Sequence, residues 1–389
     1  MENQNNRKKI LIFAIVYYPR FIGGSEVAIK EITDRIGSNY KFDLITMNTE
    51  PETFAKIGNV NIYRTGLYSQ NPKRSHKYLF PFFAFWKAVE LHKKNNYDMI
   101  WSMMANYAGF AALFFKWWNS RVPFLLTLQE GDPIDYIKRK VWFVYPIFRE
   151  IFKKADKIQA ISKFLGDFGK KMGHNKLIEI IPNGVDIPIF SRVFTENEKQ
   201  EIKQTFGKKG GDIFLVTTSR LVYKNGIDDI ISSLIYLPEN ITLIILGVGQ
   251  EGPSLQKQAN NLGLSNRVKF LGFVPHAHIP KYFSACDIFI RPSRSEGFGN
   301  SFIEAMAAGL PVVATPVGGI PDFLDDRETG IFCSPDNPQS IAKAVNLLLG
   351  DLLLRQKIIQ NAKRRVVERY SWEHVAKDMK TKVFDRLEK

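Results

Sequence analysis

Glu296-Gly297-Phe298-Gly299-Asn300-Ser301-Phe302-Ile303-Glu304-Ala305-Met306-Ala307-Ala308-Gly309-Leu310-Pro311-Val312-Val313-Ala314 runs from a glycine loop through a short helix into a buried strand. It follows an apolar strand candidate, Ile288–Arg291, and the pair Pro292-Ser293. The glycines let the backbone approach a ligand closely. The helix opens near Asn300, so its first amides lack intrahelical acceptors and favour an anionic group such as a diphosphate. Glu304 lies one turn into that helix, placed to accept hydrogen bonds from hydroxyls such as those of a ribose. Glu296 precedes the helix and reaches whatever the diphosphate carries. Each element alone is an ordinary glycine turn or a solvated glutamate. The complete run, closed by Pro311–Ala314, points to a ligand loop at the carboxyl end of a strand.

Two further loops occupy equivalent places. Ser219-Arg220-Leu221-Val222-Tyr223-Lys224-Asn225-Gly226 follows the strand candidate Ile213–Thr218. Two cations on one short loop suit a diphosphate whose charge grows as its bond breaks, Arg220 as a planar fork and Lys224 as a point charge. Leu246-Gly247-Val248-Gly249-Gln250-Glu251-Gly252 matches Gly-x-Gly-x-x-Gly. A nicotinamide-binding unit needs an acid ending the next strand, and Val268-Lys269-Phe270-Leu271 has none. The motif is therefore a tight turn beside a nucleotide or a purely structural one.

The Glu296–Ala314 run, with two glutamates separated by seven residues, resembles the donor-binding motif of glycosyltransferase family 4, a resemblance that is specific over Thr217–Ala314 and looser before Ala155. The resemblance implies a GT-B fold: two Rossmann-like, doubly wound α/β domains facing an interdomain cleft. It also implies a nucleotide-sugar donor, UDP- or GDP-linked, and a retained anomeric configuration. By the same resemblance Glu296 hydrogen-bonds the transferring sugar and Glu304 the ribose, with Gly297, Phe298, Gly299, Asn300 and Ser301 lining the donor. Arg220 and Lys224 fall in the family's pyrophosphate loop, here with Asn225 between the lysine and the glycine. Gly272-Phe273-Val274 resembles its backbone contact to the base at Val274, and Ile181-Pro182-Asn183-Gly184-Val185-Asp186 its interdomain turn.

The first half carries weaker signals. Gly23-Gly24-Ser25-Glu26 follows the first strand and opens a helix. Gly24 admits a donor phosphate or an acceptor, and Glu26 is either an acceptor-side group or an acid complementing the helix dipole. Thr127-Leu128-Gln129-Glu130-Gly131-Asp132 departs from the family, placing Gln129 where many relatives carry a histidine near the sugar. Neutral Gln129 is no base but holds a hydroxyl, with Glu130 and Asp132 as exposed alternatives.

Short β-branched or aromatic runs alternate with amphipathic stretches along the chain, as in parallel sheets covered by helices. Strands are expected at Ile10–Val16, Phe42–Met47, Ile100–Met103, Phe124–Leu128, Lys157–Ile161 and Ile178–Ile181. In the second half they are expected at Ile213–Thr218, Thr242–Leu246, Val268–Leu271, Ile288–Arg291, Val312–Ala314 and Gly330–Phe332. A chain of 389 residues exceeds one ordinary core. The expected division is an acceptor-binding domain over residues 1–187 and a donor-binding domain over 188–370. The polar stretch Pro188–Gly211 acts as linker and first segment of the second domain. Ser371–Lys389 is an amphipathic helix free to pack on either, the first being favoured.

With 45% apolar and 24% charged residues the composition is that of a globular protein. Cys286 and Cys333 form no disulfide framework and suggest a reducing cytoplasm without structural zinc. No Asp-x-Asp occurs, so no metal is expected and Arg220 and Lys224 take its electrostatic role. Arg7-Lys8-Lys9 with Ile10–Tyr18 imitates a secretory signal but lacks a small-residue cleavage site. The uncharged stretch Met99–Phe115 contains Ser102, Asn106 and Gly109. It fits a strand followed by a helix over Tyr107–Trp118 better than a membrane span.

The net charge of +15 is uneven: 28 Lys and Arg oppose 17 Asp and Glu in residues 1–187, against 26 and 22 in the rest. A basic first half suggests an anionic partner. Its basic runs Lys73-Arg74, Lys138-Arg139-Lys140 and Lys153-Lys154 are scattered, which argues against nucleic acid. Lys73–Lys87 instead surrounds Tyr78–Trp86, rich in aromatics, with Arg74, Lys77 and Lys87. That composition suits an anionic membrane surface or a helix buried on its own sheet. The expected activity is metal-independent transfer of a hexose or N-acetylhexosamine to a lipid-linked, polysaccharide or other glycan acceptor, in the cytoplasm or at the inner face of the membrane. A nucleotide-sugar 2-epimerase and a glucan synthase or phosphorylase are the alternatives on this scaffold.

Overall fold

The computed structural model describes residues 7–37, 39–207 and 211–387 and divides the chain into two compact units, Met1–Asn183 with Trp372–Lys389, and Gly184–Ser371. Residues 208–210 of the expected linker and Glu388 and Lys389 of the expected terminal helix lie outside the described residues.

The first unit is built on β1 (Lys8–Phe13), β2 (Tyr40–Met47), β3 (Phe54–Ile57), β4 (Val60–Thr65), β5 (Met99–Met103), β6 (Phe124–Leu128), β7 (Lys157–Ala160) and β8 (Ile178–Ile180). They form one sheet in the order β3-β4-β2-β1-β5-β6-β7-β8, parallel except for the antiparallel edge pair β3–β4. Its helices are α1 (Gly24–Ile36), α2 (Arg74–Asn95), α3 (Tyr107–Trp118), α4 (Ile134–Lys140), α5 (Tyr145–Lys154) and α6 (Lys163–Lys171). Phe124-Leu125-Leu126-Thr127-Leu128 is buried at every position, as a strand covered on both faces must be. Asn106 caps α3 by accepting from the Ala108 amide, which starts the helix at Tyr107.

The second unit contains α7 (Ile187–Phe190), α8 (Glu196–Thr205), β9 (Ile213–Thr218), α9 (Ile227–Ser233), β10 (Ile241–Leu246), α10 (Gly252–Asn261), β11 (Val268–Gly272), α11 (Ile279–Phe283), β12 (Ile288–Arg291), α12 (Asn300–Ala308), β13 (Val312–Ala314), β14 (Ile331–Phe332), α13 (Pro338–Gly350) and α14 (Leu352–Arg369). Its wholly parallel sheet runs β11-β10-β9-β12-β13-β14. Counted from β9 this is the doubly wound order 3-2-1-4-5-6, and the direction of winding reverses between β9 and β12. The first unit reverses in the same way between β1 and β5.

After α14 the chain returns to the first unit as α15 (Trp372–Asp378) and a π-helical stretch, Met379–Phe384. Trp372, Val375, Met379 and Phe384 join the core that holds Ile10, Ile12, Phe42 and Leu44. Phe384 meets the rings of Tyr40, Phe42 and Trp101, and Arg35 of α1 pairs with Glu373.

Three features differ from the sequence expectations. The β3–β4 hairpin is additional, because Phe54–Ile57 is an edge strand that is exposed or half-buried throughout and has no apolar run to announce it. The expected linker holds two helices, α7 and α8, the latter opened by a Thr195/Glu198 capping box. The terminal segment is not one α-helix but α15 followed by the wider π turn.

The first two glycines of the Gly-x-Gly-x-x-Gly turn serve the packing of two loops. A Cβ on Gly247 would lie 1.8 Å from the Ser219 carbonyl oxygen, and one on Gly249 2.2 Å from that of Leu221. The β9 loop rests on the β10 loop through Leu221 N to Val248 O at 3.0 Å and Glu251 N to Leu221 O at 3.0 Å. Gly247 also holds φ at +148°. Gly247→Ala is therefore expected to lower unfolding free energy by about 2 kcal/mol or more, the scale of an overpacked, strained site. Urea denaturation checks this, and an unchanged midpoint would show that the two loops can part.

Candidate active site in the second unit

The ends of β9 and β12 combine buried polarity with missing partners. Oγ1 of Thr217 and Thr218, Oγ of Ser219 and Ser293, and Nε of Arg291 are buried without a hydrogen-bond partner. Buried polar atoms are normally satisfied, and these five sit where the winding of the sheet reverses, the place where open α/β sheets bind ligands.

Arg291 organises the glutamate loop. It ends β12 at 6% exposure, donates through Nη2 to Glu296 Oε2 at 2.5 Å and through Nη1 to Ser301 Oγ at 2.7 Å. Its guanidinium lies 4.3 Å from the Phe302 ring centroid. Gly299 makes this possible: at φ +97° it caps the start of α12, and a Cβ there would sit 2.5 Å from the Phe302 ring and 2.9 Å from Arg291 Nη2. Glu296 is thus pinned in front of α12, its backbone oxygen accepting from Gly319 N at 3.1 Å.

Glu304, one turn into α12, is 8% exposed, and its Oε1 lies 2.9 Å from His276 Nε2. His276 follows the Val274-Pro275 segment after β11, and its ring packs 5.2 Å from that of Phe190. Val274, half-buried, therefore shares a short connection with the residue that holds Glu304. Gly297 is buried, and Asn300 and Ser301 are the first two residues of α12.

The cationic loop is tied to the glutamate loop by Arg294. Its amide donates to Lys224 O at 2.7 Å and its side chain to Tyr223 O at 2.7 Å, while the guanidinium binds Asp228 at 2.8 Å, Asp229 at 2.7 Å and Asp336 at 2.5 Å. Burial works to lower the Arg294 pKa, but the hydrogen bonds to Asp228 and Asp336 outweigh it and hold the group above its ordinary value. Burial pushes the Asp229 carboxyl up to about 6 in spite of the Arg294 charge. Arg220 stands at the loop's start, exposed, its guanidinium without a partner among the described residues, and its carbonyl accepts from Asn225 Nδ2 at 2.7 Å. Lys224 is half-buried on the same loop. The second unit thus gathers Arg220, Lys224, Glu296, Gly297, Gly299, Asn300, Ser301 and Glu304 on loops and a helix that leave two adjoining strand ends.

Several expected site residues take other places. The Phe298 ring is 1% exposed and packs on Phe323 and Tyr370 in the core, which leaves only its backbone available to a ligand. In the first unit Gln129 is engaged reciprocally by Asn183, at 3.1 and 3.3 Å, and links the end of β6 to the loop after β8. Glu26 caps its own helix, accepting from Gly23 N at 2.9 Å and Ser25 Oγ at 2.7 Å, with Gly24 as the first helical residue. Glu130 is not exposed but 7% accessible, because its loop folds over the end of β5, whereas Asp132 is exposed as expected. Sequence reasoning missed Arg291, Arg294 and His276. A cation ending the apolar run Ile288–Ile290 is a usable signal for Arg291, whereas nothing in the sequence pairs His276 with Glu304.

Among the described residues no group of three or more His, Cys, Asp or Glu could hold a metal ion, and no helix is long and apolar enough to cross a membrane.

The chain matches the profile of Glycosyltransferase Family 4 over residues 22–188 and that of Glycosyl transferases group 1 over residues 198–365. An uncharacterized glycosyltransferase of Methanocaldococcus jannaschii is 28% identical over 95% of this chain and 96% of its own. The N,N'-diacetylbacillosaminyl-diphospho-undecaprenol alpha-1,3-N-acetylgalactosaminyltransferase of Campylobacter jejuni is 24% identical over 78% and 81%. The structure of Anabaena HepE in complex with UDP-glucose superposes with a TM-score of 0.80 at 22% identity, covering 97% of this chain and 99% of that one. Two doubly wound units and these matches define a glycosyltransferase of GT-B fold. The chain belongs to glycosyltransferase family 4.

Arg291 and Glu296 have side chains 7% and 13% exposed, so removing either leaves the other buried and uncompensated. Arg291→Ala is expected to cost about 3–5 kcal/mol of unfolding free energy. Arg291→Ala with Glu296→Ala should cost less than the two single losses combined, by a coupling of about 0.5–3 kcal/mol. Denaturant unfolding of the four proteins measures it, and simple additivity would show that the pair carries no joint energy.

Proposed function

We propose that the protein transfers a hexose or N-acetylhexosamine, with retention, from a UDP- or GDP-linked donor to a glycan or lipid-linked acceptor, and that it does so without a metal. The observation that carries this is the cluster of orphaned buried polar atoms between β9 and β12, flanked by the exposed guanidinium of Arg220. A nucleotide sugar supplies what this cluster lacks. Its diphosphate meets Arg220, Lys224 and the α12 amides of Asn300 and Ser301, its ribose meets Glu304, its base meets the backbone at Val274, and its sugar meets Glu296. HepE's complex with UDP-glucose supports a donor of this class on this fold. The Campylobacter relative's undecaprenol-diphosphate name supports a lipid-linked acceptor, which falls to the first unit with Gly24 at its first helix.

As the sugar–phosphate bond breaks, the anomeric carbon becomes cation-like and negative charge grows on the diphosphate. Fixed cations in place before the reaction stabilise that charge without reorganisation. Arg294 serves this indirectly by holding the Lys224 backbone, and Arg291 by holding Glu296.

The first unit's surface supports contact with an anionic membrane. α2 buries Phe80, Pro81, Ala84 and Ala88 but exposes Tyr78, Leu79, Phe82, Phe83 and Trp86 beside Arg74 and Lys77. Phe82 packs on Phe114 of α3, which packs on the half-exposed Trp117, so the aromatic surface spans two helices. Aromatics with basic neighbours suit the headgroup region, with about 1 kcal/mol per basic residue from anionic lipid.

Arg220→Ala is expected to lower turnover by about 10²–10³. Glu296→Gln keeps shape but removes charge, and should lower turnover more than donor affinity. EDTA should leave wild-type activity unchanged, and activity abolished by EDTA and rescued by Mn²⁺ or Mg²⁺ would overturn the metal-free mechanism. Glu304→Ala should weaken binding of the free nucleoside diphosphate about ten- to a hundredfold by titration calorimetry, and unchanged affinity in a folded variant would refute the ribose contact. For the membrane, flotation should favour anionic over neutral liposomes at low salt. Equal partitioning would refute the electrostatic attraction.

A further inference from the structure

We propose that Glu130 forms a hydroxyl-binding subsite on the first unit, its carboxyl engaging one hydroxyl of the transferred or accepting sugar through Oε2. This rests on the transferase reading above and adds a residue that the site in the second unit does not contain.

The geometry is specific. Glu130 stands two residues beyond β6, and Oε1 accepts from the Ala105 amide, two residues beyond the neighbouring β5, at 2.6 Å. That bond holds the carboxyl across the ends of both strands. Oε2 is buried and has no partner, although a residue 7% exposed still touches the surface. A carboxyl oxygen buried without a partner is costly, and a hydroxyl bound there recovers part of that cost. It also lies at the carboxyl end of a parallel sheet, where such sheets bind ligands.

Neighbouring groups do not compete for the role. Gln129 has both amide atoms committed to Asn183. Glu26 has its oxygens on Gly23 and Ser25. The charged side chain that acts most on Glu130 is Asp132, of the same sign. A like charge there makes a phosphate or carboxylate a poor ligand. A neutral hydroxyl fits.

Burial pushes the Glu130 carboxyl up to about 7, with the backbone amides of Ala105, Glu130 and Gln129 opposing. In the protonated form Oε2 carries the proton and donates, a contact that an amide of the same shape reproduces. The protonated form predominates below about 7 and the ionised form above it, so the contact persists as pH rises through that value with the hydroxyl donating to Oε2 instead of accepting from it.

Glu130→Gln and Glu130→Ala distinguish this from a structural role. The donor probe is whichever of UDP-glucose, UDP-N-acetylglucosamine and GDP-mannose most raises the melting temperature. Nucleoside diphosphate release is followed from about pH 6 to 8.5, spanning the raised Glu130 value, with water alone and with octyl β-glucoside as acceptor. Glu130→Gln keeps a donor in the place of Oε2 and should stay within about threefold of wild type at the acid end, whereas Glu130→Ala should fall about ten- to a hundredfold at all pH values. An effect present with water alone assigns the hydroxyl to the donor sugar, and one seen only with octyl β-glucoside assigns it to the acceptor. In the first case Glu130→Ala also weakens titrated binding of the donor but not of its free nucleoside diphosphate. Wild-type behaviour of folded Glu130→Ala, or a folded Glu130→Gln as impaired as Glu130→Ala, overturns the subsite. Failure of the transferase reading shows differently, as absent nucleoside diphosphate binding and an Arg220→Ala variant equal to wild type.

Discussion

A buried guanidinium at the reversal point of the second sheet fixes the rest of the site. Arg291 ends β12 with its charge in the protein interior, where an unpaired ion is too costly to keep. Its solution is threefold: Glu296 ahead of α12, the Ser301 hydroxyl on the helix's first turn, and the Phe302 ring. Each contact constrains a different part of the glutamate loop, so the loop has one conformation rather than several. Because Arg294 then grips Tyr223, Lys224, Asp228 and Asp229, the β9 loop inherits that rigidity. Preorganisation, which electrostatic stabilisation of a developing charge requires, is here a consequence of one buried ion needing partners.

The parallel strands are legible in the sequence because a strand covered on both faces has to be apolar nearly throughout. Leu125-Leu126 in β6 and Leu243-Ile244-Ile245-Leu246 in β10 are such runs, and each is buried at every position. The hairpin Phe54–Thr65 escapes because an edge strand is half solvated, leaving only the weak alternation of Val60, Ile62 and Arg64 as a trace. In the site, the residues on the chain's own loops are legible: glycine, helix start and glutamate follow one another in sequence. Their partners are not. His276 and Glu304 meet across 28 positions, and no local pattern encodes that. The inward turn of the Phe298 ring is hidden for a related reason, since loop membership says nothing about which side of the loop a ring occupies.

The two units use the same winding for different electrostatics. The loops at the reversal point of the second present Arg220, exposed, and Lys224, half-buried, beside orphaned hydroxyls. The first unit has at the ends of β5 and β6 a carboxyl raised toward neutrality by burial, while Gln129 and Glu26 are consumed by bridging and capping. A site for a diphosphate needs the former, and one for a sugar hydroxyl suits the latter. The proposed division of labour between donor and acceptor sides therefore follows from what each strand end buries.

Unsatisfied polarity also bears on stability. A buried donor or acceptor without a partner costs about 1–3 kcal/mol, and among the described residues the strand ends of the second unit hold five such atoms. The unliganded fold tolerates this because Val216, Ile244, Ile290 and Val313 pack the sheet to nearly zero exposure. A ligand that supplies the missing bonds recovers part of that cost and, binding only the folded chain, stabilises it by mass action. The same atoms that make the site receptive thus make occupancy measurable as stability, and the size of that gain depends on how many of the five the ligand reaches.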